Sequence, residues 1–102
     1  MTPEYIREKL MADVRWLERA VLAIDNRQTG EEQAQGATTV LNGRGWNAFD
    51  ASTGTYMANW IRQSTRPLGQ RLSGAWIGKA RRMLLKYAGQ LARIAAANMA
   101  AA

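Results

Sequence analysis

Cysteine and histidine are both absent from this chain. Their absence removes the usual zinc ligands, the imidazole general base and the thiolate nucleophile, and it excludes a disulfide-stapled secreted fold. Acid is missing from a whole half: no aspartate or glutamate occurs between residues 51 and 102. Proline occurs only twice, so little interrupts regular structure. No uncharged apolar run approaches membrane-spanning length, and residues 1–20 alternate charge with apolar groups instead of forming a signal-type apolar core. No membrane association is expected, and a soluble intracellular protein is the default.

What is present is cationic. Residues 1–43 hold five cations against seven acids, a net −2, and residues 44–102 hold nine cations against one acid, Asp50, a net +8. A domain with one strongly basic half is a candidate for holding polyanions such as nucleic acid. The 102 residues, 47% of them hydrophobic with four tryptophans, suffice for a single domain with its own core.

Helical periodicity dominates the chain. Thr2 and Pro3 suit a first turn, because the proline N–H would have no partner there anyway. A short helix is expected to about Ala12, then a longer one from Asp13, as N-cap, to Arg27, although a single bent helix gives the same pattern. Leu10, Val14, Leu17, Val21 and Ile24 form its apolar stripe, with Arg15, Glu18, Arg19 and Asp25 mostly outside it. Thr29 and Glu32 have capping-box spacing, which predicts another short helix from Gly30 towards Thr38. Asn42, Gly43, Arg44 and Gly45 predict a glycine-rich central loop.

Asp50 is expected to cap a helix over 51–64, with Tyr56, Met57, Trp60 and Ile61 on one apolar face, ended by Arg66, Pro67, Leu68 and Gly69. Ser73 is expected to cap the last helix, whose Ile77, Ala80, Leu84, Tyr87, Leu91 and Ile94 step by three and four. Gly89 predicts a bend, and the alanine-rich residues 95–102 a frayed tail. The fold class that follows is an all-α, single-domain bundle of about four to five helices.

On a helical wheel the last helix separates its apolar arc from Lys79, Arg82, Lys86 and Arg93, which fall within roughly 60° of one another at ~100° per residue. These four cations rise over about 21 Å, a length that follows several phosphates. A solvated face is the plainer explanation, but such faces usually mix both signs and no acid is interleaved here. Arg62, Arg66 and Arg71 would extend the surface if the last two helices pack as a hairpin, and Arg44 would join them. Single-stranded binders stack bases on rings placed among cations. Tyr56, Trp60 and Tyr87 are expected in the core, whereas Trp46, in the glycine-rich loop, either plugs the core or remains available, and is a candidate binding residue on the second alternative.

Catalysis finds little support. Ser52, Ser64 and Ser73 have no histidine to activate them, and the adjacent Glu31 and Glu32 do not face each other on a helix. The Gly43-Arg44-Gly45 segment lacks the Gly-Lys-Ser/Thr that a phosphate-cradling loop needs. No catalytic residue, cofactor or metal is expected, and the chain is read as a non-enzyme.

Trp16 to Ala20, Gln28, Thr29, Glu32 and Gln33, then Asn42, Gly43, Gly45, Trp46, Asn47, Asp50 and Ala51, then Leu72 and Ser73, and finally Ala80, Arg81, Lys86, Tyr87, Ala88, Gln90 and Leu91 carry a resemblance. In these segments the chain resembles small uncharacterised proteins of phages and other mobile elements, whose Asn-Gly-x-Gly-aromatic and Lys-Tyr-x-x-Gln-Leu segments also occur beside phage helicase modules. Trp46 stands where phenylalanine is usual, and Gly74 and Trp76 replace a Pro-Lys-Gln type of helix start. The resemblance implies a phage accessory role in the cytoplasm of a bacterial host, in a setting of DNA metabolism, and it supplies no catalytic residues.

Three functions follow as expectations. The first is a basic accessory protein that binds DNA, RNA or a host nucleoprotein complex through the cationic helix face. The second is a host-defence inhibitor of the anti-CRISPR type, acting by protein contact. The third is a structural homo-oligomer with the last helix as its seam.

Overall fold

Thr2 begins the first helix as its spacing predicts: its Oγ1 accepts a hydrogen bond from the Tyr5 N–H at 3.1 Å, and Pro3 occupies the first helical position. This computed structural model describes residues 1–35 and 45–101, with side chains at 1–27 and 45–97. Helix α1 (Pro3–Ala12) ends at Asp13, whose extended backbone turns the chain while its N–H still donates to the Lys9 carbonyl at 2.9 Å. The same residue starts α2 (Val14–Gln35), because Asp13 Oδ1 accepts from the Arg15 N–H at 2.9 Å. The hydrogen bond from the Arg15 side chain, with that from its backbone, holds the Asp13 carboxyl below its ordinary range.

Helix α2 does not stop at Arg27. The separate helix expected from Gly30 is instead the continuation of α2 to Gln35. Extending a helix adds one hydrogen bond per residue fixed, whereas a new helix must be nucleated, so Thr29 and Glu32 lie within a helix rather than at its start. Asn42, Gly43 and Arg44 of the expected central loop lie outside the described residues, and Gly45 beside them has φ 74°.

Helix α3 (Ala51–Gln63) follows a turn over residues 48–50, and α4 (Gly74–Leu84) follows the loop that Pro67 and Gly69 interrupt. Gly69 has φ 97°, a conformation that L side chains rarely adopt, and a Cβ there would also meet Arg15 Cγ at 2.6 Å. Ser73 sits at the N-cap of α4 with its carbonyl accepting from Ile77, but its hydroxyl makes no capping bond. A single 3-10 turn, Leu85–Tyr87, joins α4 to α5 (Ala88–Ala101) with helical dihedrals at Leu84, Leu85 and Ala88. The helical path thus continues through a tightened turn, which ends two residues before Gly89, where the bend is expected. The backbone remains helical to Ala101, across most of the expected frayed tail.

Helix α2 is the hub, packing against α1, α3, α4 and α5, while α1 also packs against α5. Ile6 and Leu10 of α1, Leu17, Val21 and Ile24 of α2, Met57 and Ile61 of α3 and Leu84 of α4 are buried in one apolar cluster. Each such side chain contributes about 1.5–3 kcal/mol on burial. The radius of gyration, 13.2 Å, matches the ~13 Å expected of about 100 residues packed around one core. No strand occurs among the described residues, so the fold is an all-α bundle. None of its described helices is long and apolar enough to cross a membrane.

Candidate nucleic-acid interface

Helices α3 and α4 run antiparallel, and three contacts set their alignment. Lys86 Nζ lies 2.9 Å from Asp50 Oδ2. The Tyr56 and Trp76 rings meet at 5.3 Å between centroids and 30° between planes, and Trp60 Nε1 donates to the Arg71 carbonyl at 2.9 Å. The pair of helices leaves a groove at each end. Phe49, Thr53, Lys79, Arg82, Met83 and Lys86 line one, and Trp60, Gln63, Ser64, Arg66 and Arg71 are among those lining the other.

Lys79, Arg82 and Lys86 therefore share one groove. All three are exposed, and among the described residues Lys79 and Arg82 form no ion pair. Lys79 Nζ lies 5.5 Å from the Trp76 ring centroid, a cation–π distance that leaves its charge outward. Asp50 is the groove's acid, and it is 3% exposed. Burial pushes its carboxyl up, but hydrogen bonds from Lys86, Tyr87 and Asn47 prevail and hold it below the ordinary value.

The remaining cations separate from this group for physical reasons. Arg93 is exposed on α5 but lines neither groove. It lies seven residues beyond Lys86, about 10 Å further along the axis at 1.5 Å per residue, past the end of the groove. Arg66 is exposed at the far end of the face, beside Arg71. The Arg71 guanidinium is directed at backbone, donating to the Arg66 carbonyl at 2.8 Å and the Ile61 carbonyl at 3.4 Å. It closes the end of α3 and the loop beyond it.

Arg62 is a correction: its guanidinium lies 2.8 Å from Asp25 Oδ2 and also donates to Asn26 and Asn59, so α3 is tied to α2 there. Arg44 lies outside the described residues.

Trp46 is a second correction. It is 4% exposed, packs edge-on against Tyr87 at 5.2 Å, and donates from Nε1 to Asp25 Oδ1 at 3.0 Å. The missing side chain of Gly54 makes room for the indole, since a Cβ there would overlap the ring. Tyr56 and Trp60, expected in the core, are instead 54% exposed, and Phe49 is 90% exposed. Gly54, Met57, Ala58 and Ile61 form the buried face of α3, and their small members bring it close to α2.

Glu18 and Asp25 were expected outside the apolar stripe, yet they are 0% and 3% exposed. Glu18 Oε1 accepts from the Gly69 N–H at 2.6 Å, and Oε2 accepts from those of Arg71 and Leu72 at 2.8 and 2.9 Å. Asp25 accepts from Trp46, from the Thr55 hydroxyl at 3.1 Å and from Arg62. Asp50 does not cap α3 with its side chain. It accepts from the Tyr87 hydroxyl at 2.7 Å, while its own N–H donates to Asn47 Oδ1 at 2.8 Å. Burial pushes the Tyr87 phenol up, so it remains a donor.

Gln90 completes the arrangement by accepting from the Gly45 N–H and donating to its carbonyl, at 2.9 and 3.0 Å. These bonds immobilise the segment that carries Phe49. The apolar stripe of the last helix, offered above as an intermolecular seam, has Ala80, Leu84, Tyr87 and Leu91 buried within the chain itself.

Among the described residues, no cluster of three or more acidic side chains could hold a metal. Comparisons with models of protein families, with curated proteins and with solved structures returned no match.

Proposed function

We propose that this is a small basic accessory protein that binds nucleic acid, or a nucleoprotein complex, through the face formed by α3 and α4. The carrying observation is that Lys79, Arg82 and Lys86 converge on one groove whose single carboxylate, Asp50, is buried beneath them. A concave surface of one sign concentrates polyanions, and it steers them at long range. Phosphate contacts of this kind position a ligand without reading its sequence. The likeness to phage and mobile-element proteins is consistent with such a role inside a bacterial host.

The test is a gel shift with generic DNA and RNA. Lys79→Glu combined with Arg82→Glu changes two cations that make no ion pair among the described residues, so the fold should survive. Binding is expected to disappear in a variant whose far-UV circular dichroism is unchanged. Retained binding would remove this groove from the reading.

A host-defence inhibitor acting by protein contact is favoured by a different observation, the exposed Phe49, Tyr56 and Trp60, because aromatic residues beside arginine dominate interface hot spots. Retention of one partner from nuclease-treated host lysate, without any gel shift, would favour it.

A further inference from the structure

We propose, building on the reading that this face binds nucleic acid, that its ligand is a single strand. Its phosphates would lie on Lys79, Arg82 and Lys86, with unpaired bases against Phe49 and Tyr56. The first ground is the mounting of Phe49. Its ring is 90% exposed, yet the turn that carries it is fixed at both sides: Asn47 bonds Asp50, and Asp50 bonds Tyr87 and Lys86. The network anchors the backbone that carries the exposed ring, so the turn need not be ordered when a ligand stacks on it, which lowers part of the cost of binding.

The second ground is spacing. Thr53, Tyr56 and Trp60 step by three and four along the outer side of α3, Phe49 lies in the turn four residues before Thr53, and Tyr56 and Trp60 are each 54% exposed. Tyr56 and Trp60 are separated by about 6 Å along the axis at 1.5 Å per residue, and Phe49, before the helix, shares its groove with the cations Lys79, Arg82 and Lys86. Trp76 backs Tyr56, and Lys79 lies over Trp76, so the cations and rings interlock across the groove.

The third ground is what a duplex would meet. Paired bases keep their faces inside the helical stack, and a duplex presents sugar, phosphate and base edges. Rings protruding among the cations would then face a charged backbone and desolvate it without return. An unpaired strand offers both a phosphate run and free π-faces, and stacking on aromatic rings is tolerant of sequence. DNA and RNA strands share this chemistry.

The experiment is fluorescence anisotropy of the full chain with labelled oligothymidylate and oligouridylate of about 15 nucleotides, and with a duplex of equal length, across a salt series. At least one strand is expected to bind about tenfold or more tightly than the duplex, with log K falling by about 2 per decade of salt if three phosphates are held. The better strand identifies DNA or RNA as the source. Phe49→Ala should weaken strand binding about 5- to 150-fold and leave duplex binding and the thermal melt unchanged, while Phe49→Tyr restores it.

Equal strand and duplex affinities that Phe49→Ala does not alter would overturn the single-strand inference and leave a plain phosphate-binding face. No binding to any of the three probes would overturn the proposed function as well. A protein partner captured without nucleic acid and lost in Phe49→Ala would assign the rings to a protein interface and overturn the inference.

Discussion

Replacing Glu18 by glutamine should loosen the loop between α3 and α4. The side chain is fully buried, and three backbone N–H groups, of Gly69, Arg71 and Leu72, donate to its two oxygens at 2.6 to 2.9 Å. Glutamine offers one oxygen and one NH2. In its better orientation the oxygen keeps Arg71 and Leu72, and the NH2 is set against the Gly69 N–H, donor against donor. The lost charged hydrogen bond is worth about 1.5–3 kcal/mol, and the buried N–H left without an acceptor costs about 1–3 kcal/mol more.

Removing a buried charge recovers part of its desolvation cost, so a net loss of about 2–4 kcal/mol is expected. At roughly 4–8 °C per kcal/mol for a domain near this size, the midpoint should fall by about 8–30 °C. Urea and thermal unfolding followed by circular dichroism read the loss, and hydrogen exchange should show the amides of residues 69, 71 and 72 deprotected beyond the rest. A destabilisation below about 0.5 kcal/mol, the scatter of ordinary surface changes, would refute the role given to this carboxylate.

Two further outcomes concern the other side of the groove. Because the Asp50 carboxyl is held below the ordinary 3.8, its contribution to stability is fully present above that pH and is lost as pH falls through the lower folded value. Melting temperatures taken below about pH 5 should therefore drop more steeply for the parent chain than for Asp50→Asn, and parallel profiles would contradict the assignment. Gly54→Ala sets two effects against each other. Helix propensity predicts a gain of about 1 kcal/mol, whereas the overlap with the Trp46 indole predicts a loss of about 1–3 kcal/mol, and chemical denaturation should show the loss.

The elements legible in the sequence were those with local causes. Thr2, Pro3 and Asp13 act through their own backbone neighbours, and the three-four stepping of Ala80, Leu84, Tyr87 and Leu91 is the buried side of the last helix. Features decided by distant partners were not legible. The choice between a core and an available Trp46 was not legible, because nothing near it in sequence shows Asp25, 21 positions away, or the space above Gly54. The arc holding Tyr56, Met57, Trp60 and Ile61 was wider than the surface α2 covers. The small residues Gly54 and Ala58, in step with Met57 and Ile61, were the available sign of which half would be buried.

Glu18 and Asp25 are seven positions apart, two turns on one side of α2, each directly after a buried residue of the apolar stripe, Leu17 and Ile24, so the sequence places them at the edge of that stripe. For the candidate site, the wheel groups Lys79, Arg82 and Lys86 correctly, but a wheel shows angle and not axial reach, and Arg93 lies beyond the end of the groove.

The inward carboxylates have a mechanical consequence. Methionine, leucine and isoleucine surfaces can slide or rotate past one another with little change in energy, but an anion bonded to named donors on a second segment acts as a dowel. Glu18 pins the α3–α4 connection, Asp25 pins α3, and Asp50 pins the end of the 3-10 turn, so α3 and α4 are denied both axial slip and roll. The outward rings and cations inherit that fixed gauge, and Lys86, Tyr56 and Trp60 reinforce it through contacts of their own.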